Sequence, residues 1–241
     1  MSGAVEVKSL VKDFGGVRAV DTISFGVEEN EIFGLIGPNG AGKTTTLRIV
    51  STLLQITSGS AKVFDLDVVK DAGKVRKLIS YLPEDAGAYK NLTGYDYLKF
   101  MAEFFANNKK EAEEIVETGV KIAKLDKRIK SKIETYSKGM IRRLLVGRAL
   151  MIDPKLAILD EPTSGLDVLS AREVRGIIKD AAKSSTTTVL LSSHNMLEVE
   201  FLCDRINLID KGHIVEEGSP PFLKEKYGAP NIEEVFSKVV S

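Results

Sequence analysis

This 241-residue chain lacks most of the features that would tie it to an extreme environment. Its one cysteine, Cys203, has no partner for an internal disulfide, which fits a reducing compartment. Lys plus Arg and Asp plus Glu both total 34, so no net basic field draws the chain onto a phosphate backbone, and nucleic acid is not expected as a partner. No segment approaches the roughly 20 continuous apolar residues that cross a bilayer. Met1 to Leu10 also lacks the apolar stretch of a signal peptide. The expected location is therefore cytoplasmic, and any work at a membrane needs another polypeptide to supply the span. Internal repeats, low-complexity linkers, long coiled-coil heptads, zinc motifs and a guanine-reading Asn-Lys-x-Asp segment are all missing. What is present is 43% hydrophobic residues, enough to fill a sizeable core.

Three apolar runs of strand length end at chemically suggestive segments. Ile32-Phe33-Gly34-Leu35-Ile36 precedes a glycine loop, Leu156 to Leu159 precedes Asp160, and Thr188-Val189-Leu190-Leu191 precedes His194. Near-continuous apolar strands predict a parallel sheet buried on both faces, with ligands bound beyond the carboxyl ends of its strands. Ala4-Val5-Glu6-Val7 and Ile23-Ser24-Phe25-Gly26-Val27 alternate instead, like half-exposed antiparallel strands.

Between these regions the pattern turns helical. Thr93-Gly94-Tyr95-Asp96 reads as a capping box opening a helix through about Ala106, and residues 110–124 carry apolar residues at helical spacing. The expected fold class is α/β with a parallel sheet, and the glycine loop at Gly37 to Thr45, which carries the G-x-x-x-x-G-K-[ST] pattern, makes its core that of a phosphate-loop NTPase. An antiparallel β-subdomain takes about 1–30 and 56–80, and a helical subdomain about 85–152. A short strand at Ile214-Val215 and two helices occupy about 211–241, all within a single domain.

Gly37-Pro38-Asn39-Gly40-Ala41-Gly42-Lys43-Thr44 matches G-x-x-x-x-G-K-[ST], with Thr45 following, after a predicted strand and before a predicted helix. Glycines let backbone N–H groups turn inward around phosphates. Lys43 reaches the β and γ phosphates, and Thr44 ligates Mg²⁺. Asp160, at a strand end, fits the acidic residue that holds Mg²⁺ in phosphate-loop NTPases. Glu161 directly after it is placed to orient and polarise an attacking water. Taken alone, Asp160-Glu161 before Pro162 also suits a solvated strand end, and Ser137 is also simply the cap of an apolar helix.

The order of these segments, with Tyr136-Ser137-Lys138-Gly139-Met140 just upstream of Asp160-Glu161, resembles the ATP-binding cassette (ABC) ATPases that drive membrane transporters. The resemblance spans nearly the whole chain. It implies that Ser137 and Gly139 complete the active site of a second subunit, that Phe14 stacks on adenine, that Asp167 lies in a loop crossing the dimer interface, and that His194 contacts the γ-phosphate. Arg143 and Arg148 match the arginines of the family's signature helix. Tyr136, Lys138 and Met140 depart from the usual Leu-Ser-Gly-Gly-Gln. Glu84, in Tyr81-Leu82-Pro83-Glu84, replaces a glutamine that links Mg²⁺ and the attacking water to the helical lobe, and offers a carboxylate oxygen for the same metal. Both departures resemble the exporter branch related to daunorubicin-resistance ATPases.

The resemblance implies an ATP-hydrolysing subunit, peripheral at the inner face of the cell membrane. Its partners would be an integral membrane permease subunit and a second copy of itself or a paralogous ATPase. Of Tyr89, Tyr97, Leu98, Met101, Phe104 and Phe105, about two-thirds are expected in the helical lobe's core and the rest on a groove for a short helix of the membrane subunit. Rival readings are a soluble ABC ATPase, a small-molecule kinase or GTPase switch, and a non-catalytic nucleotide-binding module.

Overall fold

The computed structural model describes residues 3–240. In chain order its first elements are β1 (Val5–Asp13), β2 (Arg18–Val27), β3 (Ile32–Ile36), α1 (Lys43–Val50), β4 (Ser58–Val63), β5 (Leu66–Asp67), α2 (Ala72–Val75) and β6 (Ile79–Leu82). The helical stretch follows as α3 (Gly94–Ala102), α4 (Lys109–Ala123) and α5 (Lys138–Leu150). Then come β7 (Leu156–Asp160), α6 (Val168–Ser184), β8 (Thr188–Ser193), α7 (Met196–Val199), β9 (Arg205–Asp210), β10 (His213–Gly218), α8 (Pro220–Tyr227) and α9 (Ile232–Val240).

Two sheets form among the described residues. One is antiparallel, in the order β2-β1-β4-β5; the other runs β10-β9-β3-β8-β7-β6, parallel throughout except for the antiparallel edge strand β10. The expected α/β class, with an antiparallel N-terminal sheet and an inserted helical stretch, is the one observed. β3, β7 and β8 are buried along their whole length because they are covered on both faces. Leu156, Ile158, Leu190 and Phe33 face the antiparallel sheet and α1, while Ala157, Leu159, Val189 and Leu191 face the helical layer. Strand alternation thus splits one apolar run between two cores.

Thr93 accepts a hydrogen bond from the Asp96 N–H at 3.0 Å and caps α3 as its sequence predicts. The regular helix ends at Ala102, earlier than the apolar spacing suggests. Phe104 and Phe105 fall in tighter turns, and Asn108 adopts an extended backbone to cap α4. The early stop changes the expected burial. Tyr97 and Leu98 are buried and Met101 half-buried, but Tyr89, Phe104 and Phe105 are exposed, so half of that cluster reaches the surface rather than a third.

Candidate functional site

The glycine loop leaves β3 beside the ends of β8 and β9, in a space too narrow for side chains. A Cβ on Gly37 would lie 2.0 Å from the Ile209 carbonyl oxygen, and one on Gly42 would lie 2.5 Å from that of Ala19. Gly42 also has φ of 103°, in the left-handed region where a Cβ is strained. Here glycine is required twice over. The Gly37 N–H bonds the Ser193 carbonyl, and the Gly212 N–H bonds that of Ala41, so β8 and the β9–β10 turn fix the loop from outside.

The loop opens onto a hollow of about 400 Å³, walled by residues 39–45 together with Ala19, Glu84 and Glu161. Hollows of similar size beside α4 and α6 (about 420 Å³) and between α3 and α4 (about 460 Å³) lack such a turn of backbone N–H groups. Lys43 is 5% exposed and bends back over the loop, donating to the carbonyls of Gly37 (2.7 Å) and Pro38 (3.1 Å). Its Nζ lies 3.3 Å from Glu161 Oε1.

Asp160 and Glu161 stand at the exit of β7, 1% and 4% exposed. Asp160 Oδ1 accepts from Ser192 (2.6 Å) and Thr44 (3.1 Å), and its Oδ2 accepts from the Tyr81 hydroxyl (3.3 Å). Burial first, then the Asp160 charge, pushes the Tyr81 phenol up to about 12, so it stays protonated as a donor. Glu161 Oε2 is 2.8 Å from His194 Nδ1 and also accepts the His194 N–H at 3.3 Å. Its other oxygen, Oε1, is buried and forms no hydrogen bond, and the group it faces is the Lys43 ammonium at 3.3 Å. Glu161 itself has a left-handed backbone, φ 47°, a strain of about 1–3 kcal/mol for a residue with a side chain.

The arrangement brings together residues 37–45, Glu84, Asp160, Glu161 and His194. Glu84 is exposed, and its Oε1 accepts from the Ser164 hydroxyl at 3.0 Å. The remaining sequence-selected residues lie elsewhere. Phe14 is 51% exposed on the β1–β2 turn, with the Lys12 ammonium 4.8 Å from its ring centre. Ser137 caps α5 by accepting the Met140 N–H at 3.2 Å. Asp167 caps α6 through the N–H groups of Leu169 and Ser170, and these bonds, the Ser170 one first, pull its carboxyl below the usual range. A Cβ on Gly139 would sit 2.4 Å from the Ser170 hydroxyl, so the α5 and α6 starts touch, and glycine at 139 is demanded by packing within this chain.

Three contributors escaped the motif reading. Ser192 both binds Asp160 and accepts the Glu161 N–H at 3.0 Å, and Tyr81 donates to Asp160. Arg142 is 6% exposed, and its guanidinium meets the carbonyls of Pro83, Glu84, Asp160, Glu161 and Pro162. A charge on the buried stripe Gly139, Arg142, Val146 and Ala149 of a helix was the signal available for it.

A family model described as "ABC transporter" matches residues 20–164, more than half of the chain. The linearmycin resistance ATP-binding protein of Bacillus subtilis is 36% identical over 228 residues, covering 95% of this chain and 73% of that protein. The daunorubicin/doxorubicin resistance ATP-binding protein of Streptomyces peucetius is 37% identical over 230 residues, covering 94% of this chain and 68% of that protein. Among solved structures, a dimeric ATP-binding cassette in a post-hydrolysis state, bound to ADP and Pi, superposes with a TM-score of 0.78 at 23% identity, covering 89% of this chain and 98% of that one. With that match and those identities over most of both sequences, the chain belongs to the ABC transporter ATP-binding family.

Proposed function

We propose that the chain is the ATP-hydrolysing subunit of an exporter, closing with a second ATPase copy, itself or a paralogue, around shared ATP and passing that motion to a separate permease in the membrane. The observation that carries this is the convergence of Lys43, Thr44 and Glu161 on one hollow, with Asp160 bonded to Thr44 behind its wall. Residues 37–45 wrap the phosphates with backbone N–H groups, and Lys43 swings from the Gly37 and Pro38 carbonyls to neutralise them. Phe14 offers an exposed ring for adenine. Glu161 accepts a proton from the attacking water at Oε1, which the swing of Lys43 frees, and His194 holds the other oxygen.

The donors present suit Mg²⁺. Thr44 and Asp160 oxygens lie 3.1 Å apart at the hollow, Glu84 lines it, and no group of three His, Cys, Asp or Glu gathers among the described residues to cage a metal alone. Mg²⁺ accepts one or two carboxylates and completes its shell on phosphate and water. When bound, it neutralises charge on the β and γ phosphate oxygens.

Ser137, Gly139 and Asp167 act in trans. Their shared ridge lies outside the hollow, which supports pairing head to tail, as does the dimeric character of the superposed cassette. Export is favoured by the resistance proteins among the relatives. The peripheral position at the inner membrane face follows from the permease partner, since no helix among the described residues is long and apolar enough to cross a membrane. A hollow of about 290 Å³ bordered by Leu53, Met101, Phe105 and Ile152 supports docking of a short permease helix, with the β-, helical and C-terminal parts at about 1–30 with 56–80, 85–152 and 211–241 as lobes of one cassette.

The test is steady-state hydrolysis of MgATP by the purified chain and by Glu161→Gln. Loss of turnover by about 10²- to 10⁴-fold with nucleotide still bound is expected. Wild-type turnover in Glu161→Gln would remove the base assignment.

A further inference from the structure

Arg142 occupies a position where α5 otherwise presents core residues. Burying a guanidinium is costly unless its five N–H donors find partners. Burial indeed draws its pKa below the ordinary arginine value, against the opposing pull of the Glu84, Asp160 and Glu161 charges. Its partners are backbone oxygens from two separate segments. Nε donates to Pro162 at 2.7 Å, and Nη2 donates to Asp160 at 3.1 Å and to Glu161. Nη1 donates to Glu84 at 3.1 Å and Pro83 at 3.4 Å. One side chain of the helical layer thus joins the exit of β7 to the turn after β6.

The peptides on either side of the Glu161 Cα are both held. The N–H side is bonded to Ser192, and the carbonyl side to Arg142. Between them Glu161 keeps a left-handed backbone, φ 47°, which is strained for a residue with a side chain and which these two bonds hold in place. Arg142 stands five residues beyond Ser137, in the helix that Ser137 caps.

We propose that Arg142 is a positioning residue for hydrolysis: it fixes the backbone that aims the Glu161 carboxylate, and it makes that aim depend on where α5 lies. This rests on Glu161 being the base. A displacement of α5 at its Ser137 end is carried to the guanidinium and shifts the Glu84 and Glu161 carbonyls together. Occupation of the Ser137 turn is thereby felt at the water-activating group. Lysine is a poor substitute, because a compact ammonium with three donors cannot span two segments as the planar fork does.

Arg142→Lys and Arg142→Ala test this, with single-turnover hydrolysis and MgATP affinity measured on each. Both variants are expected to lose roughly 10- to 100-fold in hydrolysis rate, the scale of a misaimed catalytic group. Affinity should stay within about threefold, because Arg142 does not line the nucleotide hollow. Millimolar guanidinium ion should restore part of the rate to Arg142→Ala. If Arg142→Ala does not fold, Arg142→Lys, which keeps the charge and the stem, carries the test.

A residue that acts through Glu161 has nothing further to lose once the base is gone. Adding Arg142→Lys to Glu161→Gln should therefore leave the residual rate unchanged. Wild-type hydrolysis in Arg142→Lys, a multiplicative loss in the double variant, or an equal fall in affinity would overturn the proposal. Wild-type hydrolysis in Glu161→Gln would overturn it too, but by removing the base reading itself, an outcome distinct from normal hydrolysis in Arg142→Lys beside an inactive Glu161→Gln.

Discussion

The residues assigned to nucleotide chemistry fall into two groups that this chain treats in opposite ways. Lys43, Asp160, Glu161 and Ser192 are buried and bonded to one another or to nearby backbone across the ends of β3, β7 and β8. Ser137 and Asp167 spend their hydrogen bonds on their own helix starts, and Phe14 stands on an exposed turn. The first group is organised before any ligand arrives. The second presents backbone and side-chain ends at a surface, where the proposed second copy would supply the complement. Preorganisation within one chain and completion by another therefore predict different responses to mutation.

Lys43→Ala should have the largest effect. Its ammonium is the counter-charge within 3.3 Å of buried Glu161 and the flexible cation of the phosphate hollow. Loss of charge-assisted hydrogen bonds of about 3 kcal/mol corresponds to roughly a hundredfold weaker MgATP binding, read by calorimetry. Affinity unchanged in Lys43→Ala would mean that the hollow is not the phosphate site.

Ser137→Arg sharpens the contrast from the other side. In a Glu161→Gln background, where hydrolysis no longer removes the γ-phosphate, saturating MgATP should hold two chains together, and light scattering should report a dimer. Adding Ser137→Arg should abolish that dimer while each monomer still binds ATP, since Ser137 lines no part of the hollow. Removal of the α5 cap costs about 1 kcal/mol, a loss that appears in melting and not in nucleotide affinity. A double variant that dimerises as well as Glu161→Gln would make the site self-contained.

The buried group was the more legible in sequence. Near-continuous apolar strands ending at Gly37, Asp160 and His194 specify a parallel sheet, and such sheets gather their strand ends, so the order of motifs already implied the hollow. β6 and β9 were not read as strands, and β4 and β5 fell in the expected β-subdomain without being singled out. Ser58 to Val63 is half exposed and rich in small polar residues, which hides its alternation. Arg142 was passed over for a different reason. Its role is made of bonds to carbonyl oxygens, which every residue type carries, and nothing in the sequences of Pro83, Glu84 or Pro162 marks them as partners.

Glu84 lies on the seam between the two groups and provides the subtlest test. Its side chain is exposed beside the hollow and bonded to Ser164 in the segment after β7, while its carbonyl is bonded to Arg142 of the helical layer. If the carboxylate serves the metal or the water, an amide oxygen in the same place should serve nearly as well, and Glu84→Gln should keep most of the hydrolysis rate. Glu84→Ala removes the oxygen yet leaves the carbonyl link intact, so it should lose roughly tenfold while melting like the parent, less than the roughly 10²- to 10⁴-fold of a general base. A loss shared equally by both variants would instead assign the effect to the negative charge. Two variants at the parent rate would leave only the Glu84 backbone in the mechanism, and the link between hollow and helical layer would then run through Arg142 alone.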